Sequence, residues 1–197
     1  IYDHVLGVDP ARPGGFKGPY DKDVQFHEPL TTFAFMAGIT SKIRFITTIL
    51  ILPQRQTALV AKQVAELAIL SENRFSLGIG TGWNVAEYKS LNEDFTNRGR
   101  RQAEQVELMR LLWTSDSLDY IGDYHTVPFA SINPRPSQRV PILFGGGAPA
   151  LLKRCARWGD GWIPVMGPNI AAANAIQTLK ALRTAVSYTN LTLPTKA

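Results

Sequence analysis

Short apolar runs alternate along the chain with longer segments in which apolar residues recur at helical spacing. The runs are apolar on both faces, which is typical of strands buried in a parallel sheet; they cover residues 43–52, 75–79, 140–144 and 161–165. The helical segments cover residues 57–70, 98–113, 149–158 and 170–186, with Thr57 as the expected N-cap of the first. We expect residues 83–97 to form an irregular loop. Residues 117–139, with one glycine and three prolines, should form a small β excursion.

This alternation of strands and helices predicts an α/β fold with a parallel sheet, either an open doubly wound sheet or a closed barrel. A fifth strand is expected to end at Tyr2-Asp3-His4. A barrel of eight strands typically needs about 250 residues. With 197 residues, the barrel interpretation requires further strands outside this chain.

Composition narrows the class of protein. Hydrophobic residues make up 45% and charged residues 19%, which excludes a disordered chain. The single cysteine, Cys155, excludes a disulfide framework and a cysteine-based zinc site, and no histidine pair has metal-ligand spacing, so no metal is expected. The sequence shows no apolar run long enough for a membrane span and no signal peptide, so we expect a cytoplasmic protein without a membrane partner.

The net charge of +5 is mild. The only dense basic cluster, formed by Arg98, Arg100 and Arg101, is diluted by Glu104 and Glu107. We therefore expect no nucleic-acid partner, whereas an acidic small ligand fits the excess charge.

The end of the chain breaks the pattern. Residues 187–197 are polar, with alternating threonines, and resemble a translated sequencing-adapter read-through. The expected native domain is therefore 1–185, followed by a non-native tail at 186–197.

Four places that each follow a predicted strand could carry chemistry, because ligands bind at the carboxyl ends of strands in parallel α/β folds. His4, beside Asp3, could act as an acid, a base or a hydrogen-bond donor, or bond only to neighbouring backbone. The hydroxyls of Thr47 and Thr48 need partners inside an apolar strand, and these could be a ligand or the backbone.

The other two places are glycine-rich. Gly78, Gly80 and Gly82 let the backbone approach a ligand, in a motif that fits a flavin site or the glycine loop of an S-adenosylmethionine methyltransferase. The turn Gly145-Gly146-Gly147 precedes a helix and predicts a phosphate site, although a tight turn without ligand is the alternative.

Together these places resemble the bacterial luciferase-like monooxygenase superfamily, and within it the branch that uses the deazaflavin coenzyme F420. The resemblance rests on YDHVLG (2–7), on residues 45–88, on residues 95–114 and on PILFGGGAPALLKRCARWGDGWIP (141–164), in family order. It implies a (β/α)8 barrel of the TIM type with a mid-chain insertion near residues 114–139. The first strand and helix would precede Ile1, and the last two strands would follow Val186.

The resemblance also implies roles for individual residues. Asp3 and His4 would lie beside the reactive face of the flavin as the catalytic pair. Thr48-Ile49 would form a cis peptide behind the ring. The remaining cofactor contacts would be made by Gly80, Thr81, Gly82 and Trp83 at the ring and side chain and by Gly145, Gly146 and Gly147 at the phosphate. Arg100 and Arg101 would meet the acidic tail of the deazaflavin or cap a surface helix.

The expected function is hydride transfer between coenzyme F420 and a small organic substrate, in a protein that is a homodimer at full length. Three alternatives remain open from the sequence. They are a monooxygenase that uses flavin mononucleotide (FMN), a methyltransferase, and a non-catalytic flavin-binding relative.

Overall fold

A parallel sheet flanked by helices forms the centre of the computed structural model, which describes residues 1–165 and 167–192, with side chains up to residue 187. The strands are β1 (Phe45–Ile46), β2 (Leu50–Ile51), β3 (Phe75–Gly80), β4 (Leu118–Ile121), β5 (Thr126–Ala130), β6 (Ile142–Gly145) and β7 (Gly161–Ile163). The helices are α1 (Pro29–Ile39), α2 (Thr57–Leu70), α3 (Val85–Ser90), α4 (Arg98–Thr114), α5 (Pro149–Trp158) and α6 (Ile170–Thr192). A 3-10 turn covers Leu52–Gln54.

The sheet has the order β1-β3-β6-β7, with β2 also pairing to β3, and every pairing in it is parallel. Its central strands are fully buried at Leu77, Ile79, Ile142 and Phe144, because helices cover the sheet. The strands β4 and β5 form a separate antiparallel hairpin, as predicted for the β excursion. The predicted parallel α/β class is thus confirmed.

Two predicted strands differ from the structure. The single strand expected at 43–52 is split into β1 and β2. Between them a cis peptide joins Thr48 and Ile49, the position that the family resemblance implied. Residues 2–4 form no strand. One backbone hydrogen bond, from Thr48 N–H to the Ile1 carbonyl at 2.9 Å, ties this segment to the sheet.

Two helices were missed by the sequence pattern. The helix α1 begins with Pro29 after the N-cap Glu28, whose carboxylate accepts from Thr31 N–H, but its apolar residues lack a clear period. The helix α3 lies inside the expected loop, and its N-cap is Asn84. Asn84 and Glu87 have the spacing of a capping box, which is the signal that could have revealed α3.

The expected N-cap Thr57 is the first helical residue of α2, and Gln56 occupies the cap position. The Thr57 hydroxyl bonds instead to the His125 ring at 2.7 Å and to the Gln105 amide at 2.9 Å. These side chains from the hairpin and α4 offer the hydroxyl a tertiary partner, so it does not cap its own helix.

At the end of the chain, α6 runs through Thr192, past the predicted boundary at 186. Its residues Ala175, Leu179 and Leu182 pack against the core, as the helical period predicts. Residues 193–197 lie outside the described residues, and the non-native origin of the tail stays a prediction. No helix in the described ranges combines the length and apolar character that crossing a membrane requires.

Asp160 joins three segments below the sheet and is expected to make folding acid-sensitive. Its carboxylate accepts hydrogen bonds from Arg110 at 2.6 Å, Arg139 at 2.9 Å and Ile142 N–H at 2.7 Å. Burial raises its pKa, but these donors outweigh burial and hold the pKa below the ordinary 3.8. Because the pKa of Asp160 is lower in the folded than in the unfolded chain, its carboxylate stabilises the fold at pH values above the unfolded pKa. This stabilisation is lost as the pH falls through the folded pKa.

We therefore expect Asp160→Asn in the full-length protein to lower the free energy of unfolding at pH 7 by about 1–3 kcal/mol, because two arginines lose a charged partner. The loss should shrink as pH falls below about 4. Urea unfolding at several pH values measures both effects, with the exposed Asp119→Asn as control. A constant Asp160→Asn deficit down to pH 2 would contradict this assignment.

Candidate functional site

A cleft of about 500 Å³ opens where β2, β3 and β6 end. It collects every residue predicted to bind cofactor except Thr48, which lies half-buried beside it. The full lining consists of Ile49, Gly80, Thr81, Gly82, Trp83, Arg98, Gly99, Gly145, Gly146, Gly147, Ala148, Ala150, Leu151 and Arg154. The sequence therefore predicted the backbone of this cleft but not its two arginines.

Ile49 forms the floor of the cleft. A Cβ atom at Gly80 or at Gly145 would overlap the Ile49 side chain, so both neighbouring strands carry glycine where they face it. Gly146 has a φ of 133°, a backbone conformation that favours glycine. Local packing and backbone conformation therefore require glycine at these positions. Because glycine has no side chain, backbone atoms line this part of the cleft.

The turn before α5 has free hydrogen-bond donors. Gly146 N–H is used by the Ile163 carbonyl at 3.1 Å, whereas within the described residues the N–H groups of Gly147 and Ala148 donate to no acceptor. Both precede Pro149, the first residue of α5, where the helix dipole is positive. This turn can bind an anionic oxygen.

Thr47, one of the two hydroxyl candidates, has a structural role. Its hydroxyl donates to the Gly78 carbonyl at 2.7 Å and accepts from Gly78 N–H at 2.9 Å. The side chain therefore links β1 to β3, and because it is fully buried a ligand cannot reach it. Backbone partners, not a ligand, explain this residue.

His4 lies beside the cleft, packed among aromatic rings. Its ring centroid is 4.9 Å from that of Phe26, 5.4 Å from Tyr20 and 5.6 Å from Trp83, and Trp83 belongs to the cleft lining. His4 itself is not part of that lining, and its side chain is 8% exposed. Within the described residues its Nε2 atom has no hydrogen-bond partner.

Glu87, which sequence reasoning missed, is the partner of His4. The His4 Nδ1 atom lies 3.1 Å from Glu87 Oε2, and Glu87 Oε1 accepts from the backbone N–H groups of Val5 and Leu6. Burial raises the pKa of Glu87, but these hydrogen bonds outweigh burial and hold it below the ordinary value, so the group is a carboxylate. A carboxylate at Nδ1 favours a proton on that nitrogen, so Nε2 is the ring nitrogen without a partner.

Asp3, the other residue of the expected catalytic pair, does not bond to His4. Its buried carboxylate accepts from Ile51 N–H at 2.8 Å and from Arg55 at 2.8 Å. Arg55 also pairs with Glu28 at 3.1 Å, and these two carboxylates raise the arginine's pKa against the effect of burial. Asp3 therefore ties the N-terminal segment to the 3-10 turn and to α1, which is a structural role.

His125 and Arg101 each bond to residues that hold the fold together. His125 bonds to Glu104 at 2.8 Å as well as to Thr57, and these contacts give it a structural role. Arg101 points inward, pairs with Glu93 and donates to the Pro53 carbonyl, and Arg100 is exposed. Neither arginine lines the cleft, so the expected contact of Arg100 and Arg101 with an acidic tail is not supported by their positions.

Comparison with known proteins gives a family and a fold. A family model described as luciferase-like monooxygenase matches residues 12–188. An uncharacterised protein of Mycobacterium tuberculosis is 38% identical over 80% of this chain and 54% of its own length. An F420-dependent glucose-6-phosphate dehydrogenase of Amycolatopsis mediterranei is 34% identical over 85% of this chain and 48% of its own length.

Among solved structures, an F420-dependent secondary alcohol dehydrogenase in complex with an F420-acetone adduct superimposes with a TM-score of 0.78 and 25% identity. The match covers 85% of this chain and 52% of that one. The chain spans about half the length of the relatives it matches. The predicted luciferase-like TIM-barrel class, represented here by part of a barrel, is confirmed.

Proposed function

Because this chain belongs to the luciferase-like monooxygenase family, we propose that the full-length protein is an oxidoreductase that transfers a hydride between coenzyme F420 and a small organic substrate. The observation that carries the proposal is the single cleft that joins Ile49, the Gly80–Trp83 segment and the Gly145–Gly147 turn. The cofactor, when bound, supplies the hydride-carrying ring. The chain supplies a binding surface, an anchor and a polar group beside the ring.

The residues of the cleft fit a phosphorylated, planar cofactor. Gly147 and Ala148 offer unused N–H groups at the positive end of α5, where a phosphate would bind. The Ile49 side chain, set between Gly80 and Gly145, offers an apolar surface for one face of a ring. Attachment at these two points would orient the ring toward Trp83 and the neighbouring His4.

His4 is the residue that we assign to proton transfer, with Glu87 as its positioning residue. Glu87 holds Nδ1, so Nε2 is the nitrogen that can accept a proton from a substrate hydroxyl or return one. The rings of Phe26 and Trp83 pack against the His4 ring and restrict its orientation. Asp3, the other predicted catalytic residue, acts only by holding the backbone segment that carries His4.

The choice of F420 over FMN rests on relatives whose names contain that cofactor, including one that is 34% identical. The family's name keeps an FMN-dependent monooxygenase as the second candidate. The methyltransferase alternative has no support from the family match. The expected homodimer stays a prediction.

Titration of the full-length protein with F420 and with FMN tests this proposal. We expect F420 to bind with a dissociation constant at least about tenfold lower than that of FMN, a difference of about 1.4 kcal/mol. Cofactor absorbance and fluorescence report the binding. Tighter binding of FMN would establish the monooxygenase candidate, and binding of neither cofactor would overturn the proposal.

A further inference from the structure

Two arginines that sequence reasoning did not select meet at the outer side of the cleft. Arg98 is the first residue of α4 and Arg154 lies within α5, and both side chains line the same cavity as the Gly145–Gly147 turn. The Arg154 Nη1 atom lies 3.0 Å from the place that a Cβ atom at Gly99 would occupy. Gly99 therefore leaves room for the guanidinium to rest against the first turn of α4, next to Arg98.

Neither guanidinium is neutralised by a carboxylate in the part of the chain that the structure describes. Arg154 Nε donates to the amide oxygen of Gln102 at 3.2 Å. Arg98 donates to the Phe95 carbonyl at 2.7 Å and lies over the Phe95 ring, 3.7 Å from its centroid. By contrast, Arg101 and Arg110, which are also partly buried, each pair with an acidic residue.

The charged side chains that line the cleft are both positive. None of the residues that line the cleft is acidic. Two helices, α4 and α5, both present their N-terminal turns to it, and each turn carries partial positive charge. Burial, and to a smaller extent the nearby charge of Arg98, lower the pKa of Arg154.

We propose that Arg98 and Arg154 form a paired cation site that binds the anionic groups on the side chain of the cofactor, beyond the ring. The inference rests on the proposed function and deepens it, because it assigns the recognition of negative charge to these two side chains. Guanidinium groups form strong, charge-assisted hydrogen bonds to phosphate and carboxylate oxygens. The site would discriminate cofactors with phosphate or carboxylate groups from the bare chromophore.

The test compares Arg98→Gln, Arg154→Gln and the control Arg100→Gln in the full-length protein. Arg100 lies on the same helix but is exposed and does not line the cleft, so its substitution removes equal charge elsewhere. The ligands are F420 and the deazaflavin chromophore without phosphate or tail, followed by fluorescence at NaCl concentrations from about 50 to 400 mM, where screening of charges increases strongly.

We expect each cleft variant to weaken F420 binding by about 10- to 100-fold at low salt and to flatten the salt dependence. Binding of the bare chromophore should change less than about twofold in every variant. The Arg100→Gln control should bind both ligands as the unsubstituted protein does. Arg98 also contacts Phe95, so a loss in Arg98→Gln could reflect a local structural change. Arg154→Lys is therefore a second variant, which retains the charge and should recover part of the affinity lost in Arg154→Gln.

Three results would overturn the inference. They are unchanged F420 binding in both cleft variants, equal losses for F420 and the bare chromophore, and a control that weakens F420 binding as much as the cleft variants do. Each of these leaves the proposed function standing, because the unsubstituted protein still binds F420. If the unsubstituted protein binds no F420, the proposed function itself fails.

Discussion

The His4→Ala variant of the full-length protein is expected to turn over about 10²- to 10⁴-fold more slowly, the range that loss of a general acid or base produces. The expectation follows from the position of Nε2, which is free beside Trp83 while Glu87 holds Nδ1. The dissociation constant of the cofactor should change by less than about threefold, because His4 is not part of the cleft lining. Steady-state kinetics with the native substrate and cofactor titration measure the two quantities separately.

Glu87→Gln is the matched test of how His4 is oriented. The amide oxygen of Gln can still accept from Val5 and Leu6 N–H, so the backbone contacts can persist. Its NH₂ group would instead face Nδ1 as a donor and favour the opposite ring tautomer. Nitrogen NMR of the histidine ring should show the change of tautomer, and steady-state kinetics should show a fall in turnover. Normal turnover in His4→Ala would contradict the assignment of proton transfer to His4.

Gly146→Asp should have the opposite effect to His4→Ala. It should weaken cofactor binding and change the turnover of the cofactor-saturated enzyme less. A carboxylate about 4 Å from a phosphate repels it by about 4 kcal/mol at an effective dielectric constant of 20, so we expect the dissociation constant to rise at least about 100-fold. Cofactor titration followed by fluorescence measures the dissociation constant. The turnover rate is measured at saturating cofactor.

The backbone at Gly146 requires a control for this substitution. Its φ of 133° disfavours any side chain, and a Cβ atom there would lie 2.7 Å from Leu151 Cδ1. Gly146→Ala imposes this strain without the charge. Equal losses of affinity in Gly146→Ala and Gly146→Asp would show that the geometry of the turn, and not a bound phosphate, explains the effect.

Local signals explain which elements could be predicted from the sequence. Both bounds of α5 and the end of α2 were predicted to the residue, because a clear helical period marks both helices and Pro149 marks the start of α5. At the start of α2, Thr57 was expected as the N-cap but is the first helical residue. The helices α1 and α3 were missed because the apolar residues of α1 lack a clear period and α3 has only six residues. In both helices the capping residue was the remaining signal.

The backbone of the site was predictable and its side-chain partners were not. Glycines near strand ends marked two candidate ligand sites, and the family resemblance assigned Gly80 and Gly145 to one cofactor; both line the same cleft. The pairing of His4 with Glu87 spans 83 positions, and that of Arg154 with Gln102 spans 52. Such pairs depend on how elements pack and leave no signal in the local sequence.

The depth of the cleft depends on one side chain. Ile49 occupies the space that side chains at positions 80 and 145 would otherwise need, so its own size and branching determine how far a planar ligand can descend between the strands. A smaller residue at position 49 would deepen the floor by the volume of the removed methyl groups without touching the polar groups at the rim. Shape and charge in this pocket are therefore governed by different residues and can be altered independently.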